Sequence, residues 1–410
     1  MSTVESMSTT ERFLQYVAFD TQSVRESTTA PSAEKELALA AFLVDELKAL
    51  GVEDARIGEG GVVYGSIPAT PGCEANPAIG FIAHMDTSPD APGANARPQI
   101  VRYDGGDVTL NVEKDIVFSV GQFPDILKYK GQDVIFTDGT TLLGADDKAG
   151  IAEIMQMVAW IKTHPEVPHA RLCIGFTPDE EVARGTENFD IPLFGAAGEI
   201  GTLESENFNA GTALVTIRGV GVHPGLSKGK MVNSVRYAAR LIDRLPIDQA
   251  PETTEGHEGF LHPNMAKGTV VESVVRILVR DHDRALYEEK KAFLVKLVDE
   301  MSAEFPEAKF SLEIKDSYEN MKPYLDKAPK VLEIVRAAYR ACGMEPQEEP
   351  IRGGTDGARL SVRGLPCPNV FTGGMNFHGV YECIPVKSLD KGAEVAVMLA
   401  KKSAEVTSLQ

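Results

Sequence analysis

Residues 77–87 read PAIGFIAHMDT, an apolar run that ends abruptly in a histidine and an aspartate. The run has no polar alternation, which is typical of a strand buried on both faces of a sheet. His84 and Asp86 are two residues apart, so in a strand their side chains point to the same face. The carboxylate of Asp86 can then support the imidazole of His84, the usual arrangement for a histidine that binds a metal. By itself, such a pair more often has no metal.

Short apolar strands and amphipathic helices alternate around this run. The apolar periodicity predicts helices over 33–50 and 148–164 and buried strands over 134–136 and 171–176. Alternation of this kind predicts an α/β layer whose sheet is mixed and mainly parallel, with helices on its faces.

The pattern changes near residue 212, where half-exposed strands and charged helices begin. The predicted strands and helices of this part are 213–218, 233–244, 268–280, 286–305 and 310–314. They indicate a small α+β lid. After residue 322 the sequence predicts a helix over 329–342, a proline-flanked strand over 365–371 and a final helix over 386–403. We therefore expect a catalytic domain in two segments, 1–211 and 323–410, with a lid domain inserted at 212–322.

Composition narrows the class of function. The 410 residues carry a net charge of -19, which argues against nucleic-acid and anionic-membrane surfaces as partners. The five cysteines are scattered without a CxxC pair, so neither a zinc ribbon nor a disulfide framework is expected. The amino terminus does not read as a signal peptide, and apolar runs stay short of the roughly 18 residues of a membrane helix. A cytoplasmic location is the simplest expectation.

Three later segments also place histidine or acidic residues beside predicted strands, helices or glycines. They read LGADDKAG (143–150), FTPDEEV (176–182) and GGMNFHG (373–379). Each has an ordinary interpretation: an aspartate N-cap, a charged surface turn and a loop histidine. A cap needs only one of Asp146 and Asp147, so the other stays unexplained. Together the segments supply carboxylate ligands and a spare carboxylate as general base, the combination that zinc hydrolases use.

Taken in this order and spacing, the four segments resemble the M20 metallopeptidases, and more narrowly their tripeptide aminopeptidases. Further matching runs are ENFNA (206–210), VHPG (222–225), KGTV (267–270), IRGGTDGA (351–358) and LPCPNVFTGG (365–374). The resemblance extends from about Glu11 to the last helix. It implies a zinc-dependent enzyme that releases the N-terminal residue from tripeptides, with small peptides as its substrates. A homodimer is left open.

The resemblance also implies two zinc ions held by four side chains. His84 is the ligand of one zinc, Asp146 bridges the two, and Glu181 and His378 bind the second. Because Asp146 is shared, the two ions are expected to lie side by side at the carboxyl ends of the strands.

Six further residues match catalytic or substrate-binding positions of the family. Asp86 is expected to orient the site through His84, and Glu180 to act as the general base that takes a proton from the attacking water. The substrate-binding positions are His223, Asn233, Arg280 and Arg352. Simpler interpretations are a turn before a proline for His223 and a surface ion pair for Arg280.

One segment departs from the family pattern. The family has a further strand that ends in an aspartate, a terminal ligand of the zinc at His84. Here Ala197-Gly198 stands in its place, and both strand and aspartate are expected to be absent. Asp190 and Glu199 are the candidate substitutes. The zinc position at His84 is therefore predicted to be weak.

The departure leaves a second interpretation, a degenerate relative with little or no activity that binds peptide or a single metal. A third interpretation is another activity of the same family, as dipeptidase, carboxypeptidase or acyl-amino-acid hydrolase. Retention of Asp86, Glu180 and His378 favours the active tripeptide aminopeptidase.

Overall fold

The computed structural model describes residues 3–191, the backbone of residues 196–199, and residues 203–408. The chain divides into two compact units. Unit 1 comprises Met1–Ser205, Pro323–Glu348 and Thr355–Gln410, and unit 2 comprises Glu206–Lys322 and Glu349–Gly354. We propose that unit 2 corresponds to the inserted lid domain expected from the sequence.

The elements are numbered in chain order. The strands are β1 (Arg56–Ile57), β2 (Val63–Ile67), β3 (Ile79–His84), β4 (Gln99–Tyr103), β5 (Val108–Asn111), β6 (Ile116–Phe118), β7 (Gln132–Phe136), β8 (Leu172–Thr177), β9 (Ala196–Glu199), β10 (Asn209–Arg218), β11 (Phe260–Gly268), β12 (Glu272–Asp281), β13 (Lys309–Tyr318) and β14 (Cys383–Pro385). The helices are α1 (Thr9–Tyr16), α2 (Glu36–Ala49), α3 (Ala145–Thr163), α4 (Ser234–Asp243), α5 (Arg284–Glu304), α6 (Lys322–Leu325), α7 (Pro329–Ala341), α8 (Asp356–Val362) and α9 (Val386–Lys402).

The central sheet of unit 1 has the strand order β1-β2-β8-β3-β9. β1, β2 and β8 pair antiparallel in turn, whereas β3 pairs parallel with both β8 and β9. The predicted α/β class with a mixed sheet is confirmed. In the β3–β8 register His84 lies opposite Thr177, so the carboxyl ends of these two strands share one edge of the sheet.

Helix α3 crosses the inner face of this sheet. It packs against β3, α1 and α9. Ala149, Ile151, Ile154 and Val158 are fully buried, because apolar side chains occur all round the helix rather than along one stripe. The helix begins next to the polar ends of β3 and β8, which brings its first residues to the edge where His84 lies.

The strand predicted over 365–371 is wrong. Among the described residues this segment forms only an isolated bridge between Asn369 and Glu204. Pro366 and Pro368 lack the N–H groups that a sheet ladder requires, which explains why the apolar composition does not become a strand. The small sheets that do form are β14-β7-β4 and β5-β6.

The strand that was expected to be missing is present. The backbone of Ala196–Glu199 forms β9, which pairs parallel with β3 from Ile79 opposite Ala196 to Ile82 opposite Glu199. The expectation of an absent strand was therefore wrong, whereas the aspartate is indeed not in this sequence. The side chain of Glu199 lies outside the described part of the chain.

Unit 2 is an antiparallel sheet, β11-β12-β10-β13, with α4 and α5 packed on one face. The core alternates along the strands, with Val275, Ile277 and Val279 of β12 buried. The strand predicted over 268–280 is confirmed as β12 except for its first four residues, which belong to the turn between Gly268 and Glu272 that joins β12 to β11 in a hairpin. A Cβ at Gly268 would lie 2.1 Å from the Ser273 hydroxyl oxygen, so this turn needs glycine.

Three asparagines join the entry and exit strands of unit 2. Asn207 accepts a hydrogen bond from Met321 N at 2.7 Å, and Asn209 accepts one from Asn320 N at 3.2 Å. Asn320 in turn donates to the His282 carbonyl at 3.0 Å. These buried bonds hold the two ends of the inserted segment together. Within the described ranges, the helices all fall short of what is needed to cross a membrane.

Glu153, in the middle of α3, is buried without a partner. Its relative exposure is 0%, and neither carboxylate oxygen has a hydrogen-bond partner. Gly392 of α9 makes room for it, since a Cβ there would lie 2.2–2.4 Å from the carboxyl group. Burial raises the pKa of Glu153 well above its usual value, with a smaller contribution from Asp147. Burial therefore favours the neutral form of this acid in the folded protein.

We expect Glu153→Met to raise the free energy of unfolding at pH 8 by about 1–3 kcal/mol, the penalty of an unpartnered buried polar group. A raised pKa favours the folded state below the unfolded pKa of about 4.3, and this contribution is lost as the pH rises through the folded value. The gain should therefore be smaller at pH 5. Urea unfolding at the two pH values measures it.

Glu46→Met is the matched control. Glu46 is also buried, but it pairs with Arg12 and accepts the Tyr16 hydroxyl at 2.7 Å. The same substitution should therefore destabilise the protein there. A Glu153→Met protein less stable than the wild type at both pH values would contradict our assignment of Glu153 as an unsatisfied acid.

Candidate metal centre

Four segments of unit 1 meet at the shared edge of β3 and β8. They are the end of β3, the start of α3, the turn Glu180–Val182 after β8, and the loop that carries His378. One ligand atom each from His84, Asp146 and Glu181 lies within 4.8 Å of the other two. The structure thus brings together side chains that the sequence separates by nearly 100 positions.

Asp146 lies between the two histidines. Its Oδ1 atom is 2.9 Å from His84 Nε2, and its Oδ2 atom is 3.3 Å from His378 Nε2. Burial opposes ionisation, but the contacts with His378 and His84 lower the pKa of Asp146 overall. The two oxygens of one carboxylate therefore face two different imidazoles, as a bridging ligand requires.

Asp86 contacts the Nδ1 side of the His84 ring, away from Asp146. His84 Nδ1 lies 3.0 Å from the Asp86 backbone oxygen and 3.4 Å from its carboxylate. Nδ1–H donation to these oxygens leaves Nε2 directed at Asp146. Burial works against protonation, but the bonds to Asp146 and Asp86 raise the pKa of His84 well above its usual value.

Asp86 also fixes the acidic turn, which the sequence did not predict. Its two carboxylate oxygens accept the backbone N–H groups of Glu180 at 2.9 Å and of Glu181 at 3.1 Å. Asp86 is completely buried. A single aspartate therefore sets both the histidine at the end of β3 and the position of the two glutamates.

The turn itself has an unusual backbone. Asp179 and Ala183 have φ angles of 63° and 67°, in the left-handed region. The Asp179 carboxylate accepts Ser32 N with both oxygens, at 3.0 and 2.8 Å. This tie to a distant segment holds the conformation in which Glu180 and Glu181 project from consecutive positions.

Glu181 and His378 complete the group. Glu181 Oε1 lies 3.1 Å from His378 Nε2, yet it is buried without a hydrogen bond of acceptable geometry. The contacts with Asp146 and Glu181 raise the pKa of His378 to about 10. Two histidines and two carboxylates, one with an orphaned buried oxygen, form a donor set that suits a divalent metal.

Asp147 has a separate role from its neighbour. Its Oδ2 atom accepts the backbone N–H of His84 at 3.2 Å, and burial raises its pKa to about 7. Gly144 precedes α3 without a side chain to cap it, and the backbone departs from helical geometry at Asp146 and Asp147. The Asp147 carboxylate lies at the backbone N–H of Gly150, three residues on, so the interpretation of one aspartate as a cap fits Asp147. The carboxylate of Glu382 accepts the N–H groups of Leu143, Gly144 and Asp146.

Asp356 is a site residue that sequence reasoning missed. It is buried, accepts the Thr177 hydroxyl at 2.8 Å, and raises the pKa of Glu180. Burial raises the pKa of Asp356 itself to about 6. The available signal was Gly185, where a Cβ would lie 2.3 Å from the Asp356 carboxylate, but no local pattern links residues so far apart.

The four expected substrate-binding residues belong to unit 2. His223 accepts Gly225 N, and Asn233 caps α4 through Val235 N at 3.0 Å. Arg280 donates to the carbonyls of Gly211 and Val279 at 2.8 and 2.9 Å, so the expected surface ion pair is not what it forms. Their part in binding substrate stays a prediction.

Arg352 is tied to a loop of its own unit. Its guanidinium donates to the carbonyls of Gly256 and Glu258 and to the Thr254 hydroxyl, at 2.8–2.9 Å. It also stacks over Phe208, 5.3 Å from the ring centre. Arg352 was expected in the second catalytic segment, but residues 349–354 group with unit 2.

Asp190 does not stand in for the missing metal ligand. It is exposed, its backbone N–H donates to the Tyr64 hydroxyl at 2.9 Å, and it lies beside β2 rather than β3. Glu199 remains the other candidate, with only its backbone described. Among the described side chains, the candidate ligands at this position are thus His84 itself and Asp146.

Comparisons with known proteins identify the family of this chain. The model of peptidase family M20/M25/M40 matches residues 139–402. A protein named Peptidase T from Desulfitobacterium hafniense is 49% identical over 403 residues, covering 96% of this chain and 98% of its own. Another Peptidase T, from Clostridium acetobutylicum, is 48% identical over 404 residues with the same coverage. A tripeptidase structure from Staphylococcus aureus has a TM-score of 0.76 at 22% identity, covering 97% of this chain and 98% of its own, which supports the fold alone.

Histidines and carboxylates cluster here at the carboxyl ends of sheet strands, with one further glutamate beside them. Such a site is typical of metal-dependent hydrolases. The chain therefore belongs to peptidase family M20/M25/M40, and it is a hydrolase of peptide bonds. The family expected from the sequence is confirmed.

Proposed function

We propose that this protein is a zinc-dependent aminopeptidase that releases the N-terminal residue from tripeptides. The observation that carries the proposal is Asp146, whose two oxygens face His84 and His378 while Glu180 and Glu181 follow one another beside them. The likeness to proteins named Peptidase T over nearly the whole chain supports the choice of peptide substrate.

The residues divide the work between holding the centre and moving a proton. Zinc, when bound, would polarise the peptide carbonyl and make water a nucleophile at neutral pH. Glu180 takes the proton of the attacking water and returns it to the leaving amine. Asp86 accepts the backbone N–H of Glu180 at 2.9 Å. This bond positions Glu180, so the Glu180 carboxylate does not need to bind a metal to be held in place.

The surroundings of Glu180 suit a base that releases its proton again. Burial raises its pKa well above the usual range, His84 opposes that rise, and Asp356 and Glu181 add to it. A positive charge among these acids would lower the pKa toward the working pH. A base whose pKa lies near the working pH is the most effective in proton transfer.

Two zinc positions of unequal strength are part of the proposal. One position has three described protein ligands: Asp146, Glu181 and His378. The other has His84 and Asp146, since the family aspartate is absent from Ala196–Glu199. Fewer anionic ligands leave the charge of the metal less neutralised, so the position at His84 should be the weaker one.

Substrate recognition is assigned to unit 2. We assign His223 to stabilising the charge that develops on the attacked carbonyl, and Asn233, Arg280 and Arg352 to binding the peptide. An arginine suits a peptide carboxylate because its planar fork can bind both oxygens. The free state of all five cysteines is compatible with the proposed cytoplasmic location. Nucleic acid and membranes are not proposed as partners, and self-association is left open.

The degenerate alternative has less support. Relatives with 46–49% identity over about 400 residues carry the name Peptidase T. The base, the bridging aspartate and both histidines are all present here. We therefore give the active enzyme precedence.

A free α-amino group on the substrate should be required. We expect a tripeptide to lose its N-terminal residue, and its N-acetylated form to be cleaved far more slowly, because an aminopeptidase recognises the terminal amine. Chromatography of the products under equal conditions measures both. Equal cleavage of the two peptides would favour an acyl-amino-acid hydrolase instead.

Glu180 and Glu181 should fail in different ways. We expect Glu180→Gln to lower turnover by about 100-fold or more, the usual contribution of a general base, while the metal content is kept. Glu181→Gln should lose metal. Turnover and metal content of the purified variants separate the two roles, with Glu187→Gln, an exposed acid in the same segment, as control. The reverse pattern would mean that the roles are exchanged.

Zinc titration of chelator-treated protein should resolve one stronger and one weaker position. Asp146→Asn should weaken both, because this carboxylate faces both histidines. Calorimetry with zinc alone reads the two affinities. Two equally tight positions, one of which is lost on Glu199→Ala, would show that Glu199 has replaced the family aspartate.

A further inference from the structure

Glu382 connects the two segments that carry Asp146 and His378. It lies four residues after His378, just before β14, and its relative exposure is 1%. Its Oε2 atom accepts the backbone N–H groups of Leu143 at 2.8 Å and Gly144 at 2.7 Å. Its Oε1 atom accepts the N–H of Asp146 at 3.0 Å.

These bonds fill a need that α3 leaves open. Asp146 lies in the first turn of α3, where N–H groups have no partner within the helix, and Leu143 and Gly144 are the two residues that precede it. A carboxylate at this end interacts favourably with the helix dipole and forms charge-assisted hydrogen bonds. One buried side chain therefore satisfies three donors in four consecutive residues.

The bonds also fix the site, because one of the three donors is the backbone of Asp146 itself. The side chain of Asp146 leaves the chain at the residue that Glu382 holds, and Glu382 belongs to the same loop as His378. The distance of 3.3 Å between Asp146 Oδ2 and His378 Nε2 thus spans two segments that Glu382 clamps together.

We propose that Glu382 is a positioning residue for the metal centre, which sets the bridging carboxylate of Asp146 relative to His378. The inference rests on the proposed function, since it presumes that these side chains bind metal. A purely structural role would be limited to capping α3, and it would change the stability of the protein without changing how the centre binds a metal.

The test uses Co²⁺ alone as the probe, added to full-length protein after chelation. Its affinity comes from calorimetry and its coordination from the visible absorption spectrum. We expect Glu382→Gln to bind Co²⁺ about 10–100-fold more weakly, the usual cost of losing a support of a metal ligand, and with an altered spectrum. An amide accepts on one side only, so its NH₂ group would oppose at least one of the N–H donors.

Glu153→Gln is the matched control, because Glu153 is also buried in unit 1 and lies on α3 but has no hydrogen bond. It should keep the wild-type affinity and spectrum. Circular dichroism and urea unfolding check that each variant is folded. Should Glu382→Gln fail to fold, Glu382→Asp takes its place: it keeps the charge but is one methylene too short to reach all three donors, so it should also bind more weakly.

Wild-type affinity and spectrum in whichever of these two variants is folded would overturn the inference and leave Glu382 as a helix cap. Wild-type protein that binds no Co²⁺ would overturn the metal centre itself, and the inference with it. Weaker binding in Glu382→Gln together with unchanged binding in Glu153→Gln is the result that we expect.

Discussion

The structure depends on the clustering of carboxylate side chains at the edge shared by β3 and β8. Burial penalises a charged acid, and several acids together penalise one another. The consequence is visible in the raised pKa values of Asp147, Glu180, Glu181 and Asp356. Two histidines offset part of this charge. The remaining shortage of positive charge is what favours a metal cation at this edge.

Six acids of this edge fall into two groups according to the groups that they contact. Asp86, Asp147, Asp179 and Glu382 accept backbone N–H groups, and each such bond fixes a segment of chain. Asp146 and Glu181 instead face histidine nitrogens. The first group fixes the backbone around the site, and the side chains of the second group lie within that backbone. A carboxylate whose oxygens are directed at main-chain donors has fewer lone pairs left for a metal, which reduces the competition among the crowded acids.

The distant partners of these supporting carboxylates could not be predicted from the sequence. His84, Asp146 and Glu181 were predicted because they follow buried strands or precede a helix, and His378 was predicted from its likeness to the family. Asp356 and Glu382 have partners 179 and 236 residues away, and nothing near them in the chain marks a contact at that distance. The proline-rich segment 365–371 differs for a local reason: its apolar composition predicted a strand, but Pro366 and Pro368 lack the N–H groups that a strand requires.

A support residue and a ligand leave different traces in a sequence for a physical reason. A ligand needs a particular donor atom, so its residue type is restricted to histidine or an acid and its position to the end of an element. A support needs only an acceptor that reaches the right N–H group, and any segment that passes nearby can supply it. Glu382 meets that condition because β14 pairs with β7, which brings the end of the His378 loop back beside the sheet, and the start of α3 lies within reach of its carboxylate. Only the folded chain specifies that proximity, and so the residue that aligns the centre is identified by its contacts rather than by its sequence context.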